Sequence, residues 1–245
     1  MTKLRIKYRN KRLTGKAIIV DKPDTLLNKC IESIRVQLKN KNVQFVKDAR
    51  RSKTGKMIYS LQGGNGSKAI DAESLREQWV INIPTSGDDK YWLGASLTFI
   101  DHLAQFKLEG VSVRVFKGLI SDLYKIPLFR AEWDADKAST RTEHAQPHWH
   151  VYSVSTIETG FETNIKQESP VDFNERMDNN REEIDVWSSS DKFHFAMCSS
   201  WHTDDKHQVE LSDESHLINW LNRCIAYIQK QLEYISGNIS DNKIN

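Results

Sequence analysis

Hydrophobic and polar residues alternate along several short stretches of the chain, a pattern typical of β-strands with one buried face. Leu4, Ile6 and Tyr8 alternate with basic residues in the first predicted strand. Further strands are predicted over residues 17–20, 43–46, 57–61, 79–83, 111–115, 128–134, 148–154 and 193–197. The glycines that follow the strand 57–61, at positions 63, 64 and 66, predict a flexible tip.

Apolar residues three or four positions apart predict three helices. The first runs from a cap at Asp24 to about Leu38, and the second from Asp89 to Leu108, with Gly110 as its stop. The third covers residues 213–235, between a cap at Ser212 and a stop at Gly237. Its buried stripe consists of Leu217, Leu221, Cys224, Ile228, Leu232 and Ile235.

These elements predict an α+β fold, with a mainly antiparallel sheet and helices packed on one face. The 245 residues are 38% hydrophobic, which is enough to build a core. Because no break in composition divides the chain, we expect a single globular domain over residues 1–236, followed by a polar tail over residues 237–245.

Composition also narrows the class of protein. No run approaches the ~18–20 apolar residues of a membrane-spanning helix, and the basic N-terminus lacks the apolar stretch of a secretory signal. The three cysteines, Cys30, Cys198 and Cys224, form no CxxC pair, which argues against a disulfide framework and against a structural zinc site. We therefore expect a soluble, cytoplasmic protein that does not contact a membrane.

The charges are distributed unevenly. Residues 1–56 contain 17 Lys and Arg against 4 Asp and Glu, a net charge of +13, and the remainder carries −11. Such a basic segment predicts a surface that binds nucleic acid, although an internal contact with the acidic part, or a solvated lysine-rich face, fits the same pattern. The candidate nucleic-acid-binding residues are Lys3, Arg5, Lys7, Arg9, Arg50, Arg51 and Lys53.

Residues with chemical potential are concentrated in the run PLFRAEWDADKASTRTEHAQPHWHVY. The period-2 geometry of a strand puts Arg130, Glu132 and Asp134 on one face, and it does the same for His148 and His150. If the two strands pair as an antiparallel hairpin, these faces coincide. Trp133 and Trp149 would then fill the opposite face.

Three uses of this arrangement remain open. The first is a divalent metal site, with His148, His150 and Asp134 as candidate ligands. The second is metal-free phosphodiester cleavage, in which Arg130, Glu132, His148 and His150 are the catalytic residues. The third is a buried polar network that stabilises the hairpin and has no chemical role.

The segments FRAEWD and HAQPHWH resemble a motif of poorly characterised bacterial proteins that are encoded near phage-defence genes. Similar proteins pair an R-x-[E/D]-x-D strand with a P-x-H-x-H strand and often accompany an ATPase or nuclease gene. The resemblance covers about 25 of the 245 residues and touches only Arg130, Glu132, Asp134, His148 and His150. It implies a subunit of a multi-protein anti-phage defence complex.

Two functions follow from these observations. In the first, the protein is a defence-complex subunit that contacts nucleic acid through its basic N-terminal part and docks on a partner ATPase or nuclease. In the second, it is a phosphodiesterase or nuclease that uses the Arg-Glu-His-His residues, with or without a metal. A cluster that is open to solvent favours the enzyme, and one sealed under side chains favours the subunit.

Overall fold

The computed structural model describes residues 17–49, 51–64, 66–70, 77–85, 90–122, 125–135, 147–152 and 211–241. The described strands are β1 (Ile19–Val20), β2 (Val43–Lys47), β3 (Lys56–Gly63), β4 (Gly66–Ile70), β5 (Glu77–Ile83), β6 (Tyr91–His102), β7 (Gln105–Lys117), β8 (Ile126–Asp134) and β9 (His148–Val151). The described helices are α1 (Pro23–Leu38) and α2 (Glu214–Asp241). The strands predicted over residues 4–8 and 193–197 lie outside the described residues.

The nine strands form one sheet, in which every pairing is antiparallel. Its main order is β2-β3-β6-β7-β8-β9, while β1 pairs with β7 and β5 joins β4 to β6. This sheet with two helices confirms the α+β prediction of a mainly antiparallel sheet. The glycine-rich segment after β3 differs from its predicted flexible tip, because it leads directly into β4, which pairs with β5 along its whole length.

The helix predicted over residues 89–108 is wrong, since this part of the chain forms the long β6–β7 hairpin. Two features of the hairpin hide it in the sequence. Apolar residues of β6 are buried on both faces, so the period-2 alternation is lost. The register also shifts between Thr98 and Phe99, which changes the phase of the pattern.

Both observed helices match the predictions in place but differ at their ends. Pro23 occupies the first turn of α1, where its missing N–H costs no hydrogen bond, and Asp24 is not the cap. Asp213, and not Ser212, caps α2, because its carboxylate accepts a hydrogen bond of 2.8 Å from the His216 backbone. The helix continues through Gly237 to Asp241.

The main core cluster joins apolar residues of both helices to apolar residues of the sheet. All six apolar residues of the predicted α2 stripe are buried, which confirms that this helix is a core element. An ion pair between Lys29 and Glu214 links α1 to α2 at the surface. In the described part of the chain, neither helix has the length and apolar character needed to cross a membrane.

Alternation along β7 determines which residues face away from this core. Val111, Val113 and Val115 belong to the main core cluster. Ser112 and Arg114, between them, therefore lie on the opposite face of the sheet.

Candidate metal centre

Strands β8 and β9 pair as the sequence predicts, and their polar faces coincide. Arg130 lies opposite His150, and Glu132 lies opposite His148. Trp133 is buried on the other face, and Trp149 packs against the core there, in contact with Phe129 and Tyr227. The four polar side chains are called the polar cluster below, and they consist of Arg130, Glu132, His148 and His150.

Three atoms of the polar cluster converge on one point. Glu132 Oε1 lies 3.2 Å from His148 Nε2 and 3.1 Å from His150 Nε2. The two Nε2 atoms are 2.6 Å apart. These three atoms belong to the ligand triad, which consists of Glu132, His148 and His150.

The second carboxylate oxygen of Glu132 has a separate partner. Its Oε2 atom lies 3.0 Å from Arg130 Nε, so the arginine holds the carboxylate in an orientation that leaves Oε1 directed at the histidines. Arg130 exposes only 9% of its side chain to solvent, compared with 37% for His150. The polar cluster is therefore half-buried, with His150 at its open side and Arg130 at its base.

The surroundings favour an ionised carboxylate and neutral imidazole. Burial raises the pKa of the Glu132 carboxyl, but the hydrogen bond with His148 and the charge of Arg130 outweigh this effect and lower the pKa to about 2. The pKa of His150 is lowered mainly by burial and, to a smaller extent, by the charge of Arg130. The Glu132 carboxylate only partly opposes this shift. These protonation states are the ones in which the two groups bind metal ions.

Hydrogen bonding alone does not account for the geometry of the ligand triad. A neutral imidazole carries one N–H, which an Nε2 atom directs at a single acceptor. If both Nε2 atoms are protonated, their hydrogens repel each other across the 2.6 Å gap. If only one is protonated, a lone pair of the other faces the lone pairs of Glu132 Oε1 at about 3 Å.

The carboxylate of the ligand triad is Glu132, whereas the sequence suggested Asp134 as a metal ligand. In the described part of the chain, Glu132, His148 and His150 supply the atoms that could hold a metal ion, all within 4.8 Å of one another. Asp134 lies two residues further along β8, opposite Gly110, and is not part of this group. The period-2 pattern placed both carboxylates on the same face, but only the register could decide between them.

The candidate nucleic-acid-binding residues fall mainly outside the described residues. Lys3, Arg5, Lys7, Arg9 and Arg50 are among them, and Arg51 and Lys53 are described. The Arg51 side chain is only 15% exposed, since it lies beside the Asp48 carboxylate and donates a hydrogen bond to Ser60 Oγ.

Lys53, by contrast, is exposed just before β3. Of the two described candidates, it therefore has the more accessible charge.

Sequence reasoning missed the polar residues next to the polar cluster. Ser112 pairs with Glu132, and Arg114 pairs with Arg130, so β7 extends the same polar face by one strand. Ser112 and Arg114 could have been predicted, because they alternate with the buried valines of β7. Gln78 on β5, which lies 3.4 Å from Arg114, follows no such pattern.

Behind β9, a cavity of about 770 Å³ separates the β8–β9 pair from α2. His148 borders this cavity as well as the polar cluster. Several of its other lining residues are aromatic: Trp149, Trp220 and Tyr227.

Comparison with protein-family models, with curated proteins and with solved structures finds no match to this chain.

Proposed function

We propose that the protein is a divalent-metal-dependent phosphodiesterase that acts on nucleic acid, and that the ligand triad binds its metal ion. The observation that carries this proposal is the convergence of Glu132 Oε1, His148 Nε2 and His150 Nε2 at 2.6–3.2 Å from one another. Ligands of a tetrahedral zinc ion with bonds of 2.0–2.1 Å are separated by about 3.3 Å, close to the two distances from Glu132 Oε1, and the 2.6 Å between the Nε2 atoms would lengthen on binding. A cation at the centre would attract all three atoms and outweigh the repulsion between them.

The number of ligands favours a catalytic role over a structural one. Three protein ligands leave at least one coordination position for water or substrate, which is the pattern of catalytic zinc sites. A cation held by the ligand triad would lower the pKa of a bound water and so supply a nucleophile near neutral pH. Hydrolysis would form one P–O bond to the water oxygen and break one P–O ester bond, and the leaving oxygen would take up a proton, which gives a phosphate monoester and an alcohol.

In this proposal, Arg130 has a positioning role in addition to the role expected from the sequence. Its side chain is buried beside Glu132 Oε2, so it positions the metal-binding carboxylate. Outer partners of this kind hold a ligand in the productive orientation. Arg130 is thus a positioning residue.

The nucleic-acid substrate and the cellular setting rest on the sequence. The net charge of +13 over residues 1–56 supports binding of a polyanion. The resemblance of β8 and β9 to proteins encoded beside phage-defence genes supports a cytoplasmic defence complex with an ATPase or nuclease partner. Co-purification from the native operon, with mass spectrometry of the complex, tests that part of the proposal.

Metal content and hydrolysis test the enzymatic part. The wild-type protein should retain about one equivalent of Zn²⁺ or Mn²⁺ after dialysis and should cleave a fluorescent oligonucleotide or bis(p-nitrophenyl) phosphate. His148→Ala should lose both properties, and its melting temperature should stay within a few degrees of that of metal-free wild-type protein. His102→Ala, which removes a histidine at the end of β6, is the matched control and should retain both.

The outcome that contradicts the proposal is equally specific. A purely structural network predicts that His148→Ala melts much earlier, since breaking a buried charged network costs ~3–5 kcal/mol. Wild-type protein that binds no divalent metal would also exclude the proposed centre.

A further inference from the structure

The sheet face that carries the polar cluster continues onto β7 with a second polar group. Antiparallel pairing places Ser112 beside Glu132 and Arg114 beside Arg130. Gln78 reaches the same place from β5, where its Oε1 atom accepts a hydrogen bond of 3.4 Å from Arg114 Nη1. Ser112 and Arg114 lie one strand spacing, ~5 Å, from β8, whereas Gln78 on β5 lies three spacings, ~14 Å, from β8 and reaches the group through its side-chain contact with Arg114.

Two arginines in direct cross-strand register are the first unusual property of this face. Like charges directly opposite each other on neighbouring strands destabilise a sheet. Arg114 and Arg130 form such a pair, and Arg130 is 93% buried as a residue, with a relative exposure of 7%. The Glu132 carboxylate offsets part of this repulsion, and an anion bound between the two guanidinium groups would reduce it further.

Unused hydrogen-bonding groups are the second property, and they are independent of the first. Gln78 is only 7% exposed, and its Nε2 atom is buried with no hydrogen-bond partner among the described residues. Ser112 Oγ is buried in the same way, again with no partner in the described part of the chain. Buried polar atoms are normally satisfied, so Gln78 Nε2 and Ser112 Oγ are two hydrogen-bond donors that a ligand next to Arg114 can use.

A glycine makes room for the Gln78 side chain. Gly94 on β6 lies opposite Arg114, and a side chain at this position would begin 3.3 Å from Gln78 Oε1. Its absence allows Gln78 and Arg114 to approach each other above the sheet.

We infer that Arg114, Arg130, Ser112 and Gln78 form a phosphate-binding subsite next to the metal centre. Guanidinium, amide and hydroxyl groups all donate hydrogen bonds, and phosphate oxygens accept them. The subsite holds a phosphate group of the substrate strand beside the bond that is cleaved. The choice of a phosphodiester strand as the ligand rests on the proposed function, whereas the anion site itself does not.

Binding measured in EDTA tests the subsite separately from the metal. Inorganic phosphate should raise the melting temperature of metal-free wild-type protein, relative to chloride at the same ionic strength. Arg114→Gln should weaken phosphate binding by about 10- to 100-fold, because it removes charged hydrogen bonds. Arg223→Gln, which removes the same charge from an exposed position on α2, is the matched control and should bind phosphate normally.

Ser112→Ala is the second variant, because Arg114 has further interactions in the fold. The substitution removes a buried hydroxyl that has no described partner, so the free protein should be as stable as wild type or more stable. Its affinity for phosphate should nevertheless fall several-fold. Normal phosphate binding by Ser112→Ala and Arg114→Gln would overturn the inference, as would the absence of any effect of phosphate on wild type.

A second ligand distinguishes a nucleic-acid strand from free phosphate. A thymidine trinucleotide should bind metal-free protein in an Arg114-dependent way, and its uncharged methylphosphonate analogue should not. If the protein binds inorganic phosphate but does not bind the trinucleotide, the assignment to a phosphodiester strand is overturned. If wild-type protein binds phosphate but no divalent metal, the proposed function is refuted and the anion site is still supported.

Discussion

His148 Nε2 lies 2.6 Å from His150 Nε2, although the two residues are separated by Trp149 along β9. Side chains two positions apart on a strand leave the backbone about 6.6 Å from each other. The two rings close this gap by leaning together, with centroids 4.5 Å apart and an angle of 62° between their planes. Both turn towards Glu132 Oε1 on β8, so the carboxylate determines where the imidazoles meet.

Glu132 should therefore be essential for metal binding, and Asp134 should not. At a metal concentration about 100 times the Kd, Zn²⁺ or Mn²⁺ should stabilise wild-type protein by about 2.7 kcal/mol. Glu132→Gln should lose this stabilisation, because a neutral amide is a weak ligand for these ions. Thermal unfolding with and without metal measures the difference.

Asp134→Asn is the matched control, since Asp134 lies on the same strand but outside the ligand triad. It should retain the full effect of the metal. A loss of metal binding in Asp134→Asn together with its retention in Glu132→Gln would show that the sequence-based choice of ligand was correct.

Arg130 should influence metal affinity without touching the metal. Arg130→Met removes the group that holds Glu132 Oε2, so the affinity should fall about 10- to 100-fold, as is typical for outer partners of metal ligands. Isothermal titration with Zn²⁺ measures the change. Arg130→Lys, which keeps the positive charge, should recover part of the affinity, and an unchanged affinity in Arg130→Met would rule out a positioning role.

Lys53 should contribute to nucleic-acid binding more than Arg51. Lys53 is exposed, whereas the Arg51 side chain is largely buried next to Asp48. Lys53→Glu should weaken DNA or RNA binding and reduce the slope of log K against log salt by about 1. A salt titration checks this, with Lys90→Glu, at an exposed position before β6, as the control.

Equal binding curves for wild type and Lys53→Glu would remove Lys53 from the nucleic-acid surface. A larger loss in Arg51→Gln than in Lys53→Glu would reverse the order inferred from exposure.

The β6–β7 turn should be improved by residues that suit its backbone. Leu103 and Ala104 form the two-residue loop, and both have a positive φ, of 46° and 65°. Such loops prefer Asn-Gly, because other residues are strained there. Leu103→Asn combined with Ala104→Gly should stabilise the protein by about 1–3 kcal/mol.

Urea unfolding measures this gain. Leu103→Ala, which shortens an 88% exposed side chain without changing its backbone preference, should have little effect. A loss of stability in the double variant would argue against the hairpin and for a helix in this segment.

Cys30 and Cys224 should be unreactive in the folded protein. Burial raises the pKa of both thiols from 9.0 to about 12, so each remains protonated at pH 8–9. Because the folded pKa exceeds the unfolded one, the resulting stability is present below pH 9.0 and is lost as the pH rises towards about 12. Iodoacetamide should label these residues only in urea, and peptide mass spectrometry locates the label.

Labelling of either thiol in native protein at pH 8.5 would show that its part of the core opens readily. Cys198, which lies outside the described residues, carries no expectation in this experiment.

Local patterns in the sequence were sufficient for the positions of α1 and α2, and they predicted the polar cluster on the assumption that β8 and β9 pair. The stripe of α2 repeats apolar residues at helical spacing, and its partners in the core do not alter that period. The cluster follows from the alternation of β8 and β9, which presents Arg130 and Glu132 on one strand and His148 and His150 on the next. In each case, the side chains that matter belong to one element or to two consecutive ones.

Only the tertiary structure decided the remaining features. Strand β6 is buried on both faces, and its hairpin with β7 has a turn without glycine or asparagine, so neither the alternation of β6 nor turn chemistry reveals this hairpin. The preference for Glu132 over Asp134 depends on register, and a strand's alternation does not specify register. Gln78 and Arg114 meet because β5 and β7 flank β6 in the sheet. Contacts between strands that are distant in the sequence arise only when the sheet forms, so no local sequence pattern predicts them.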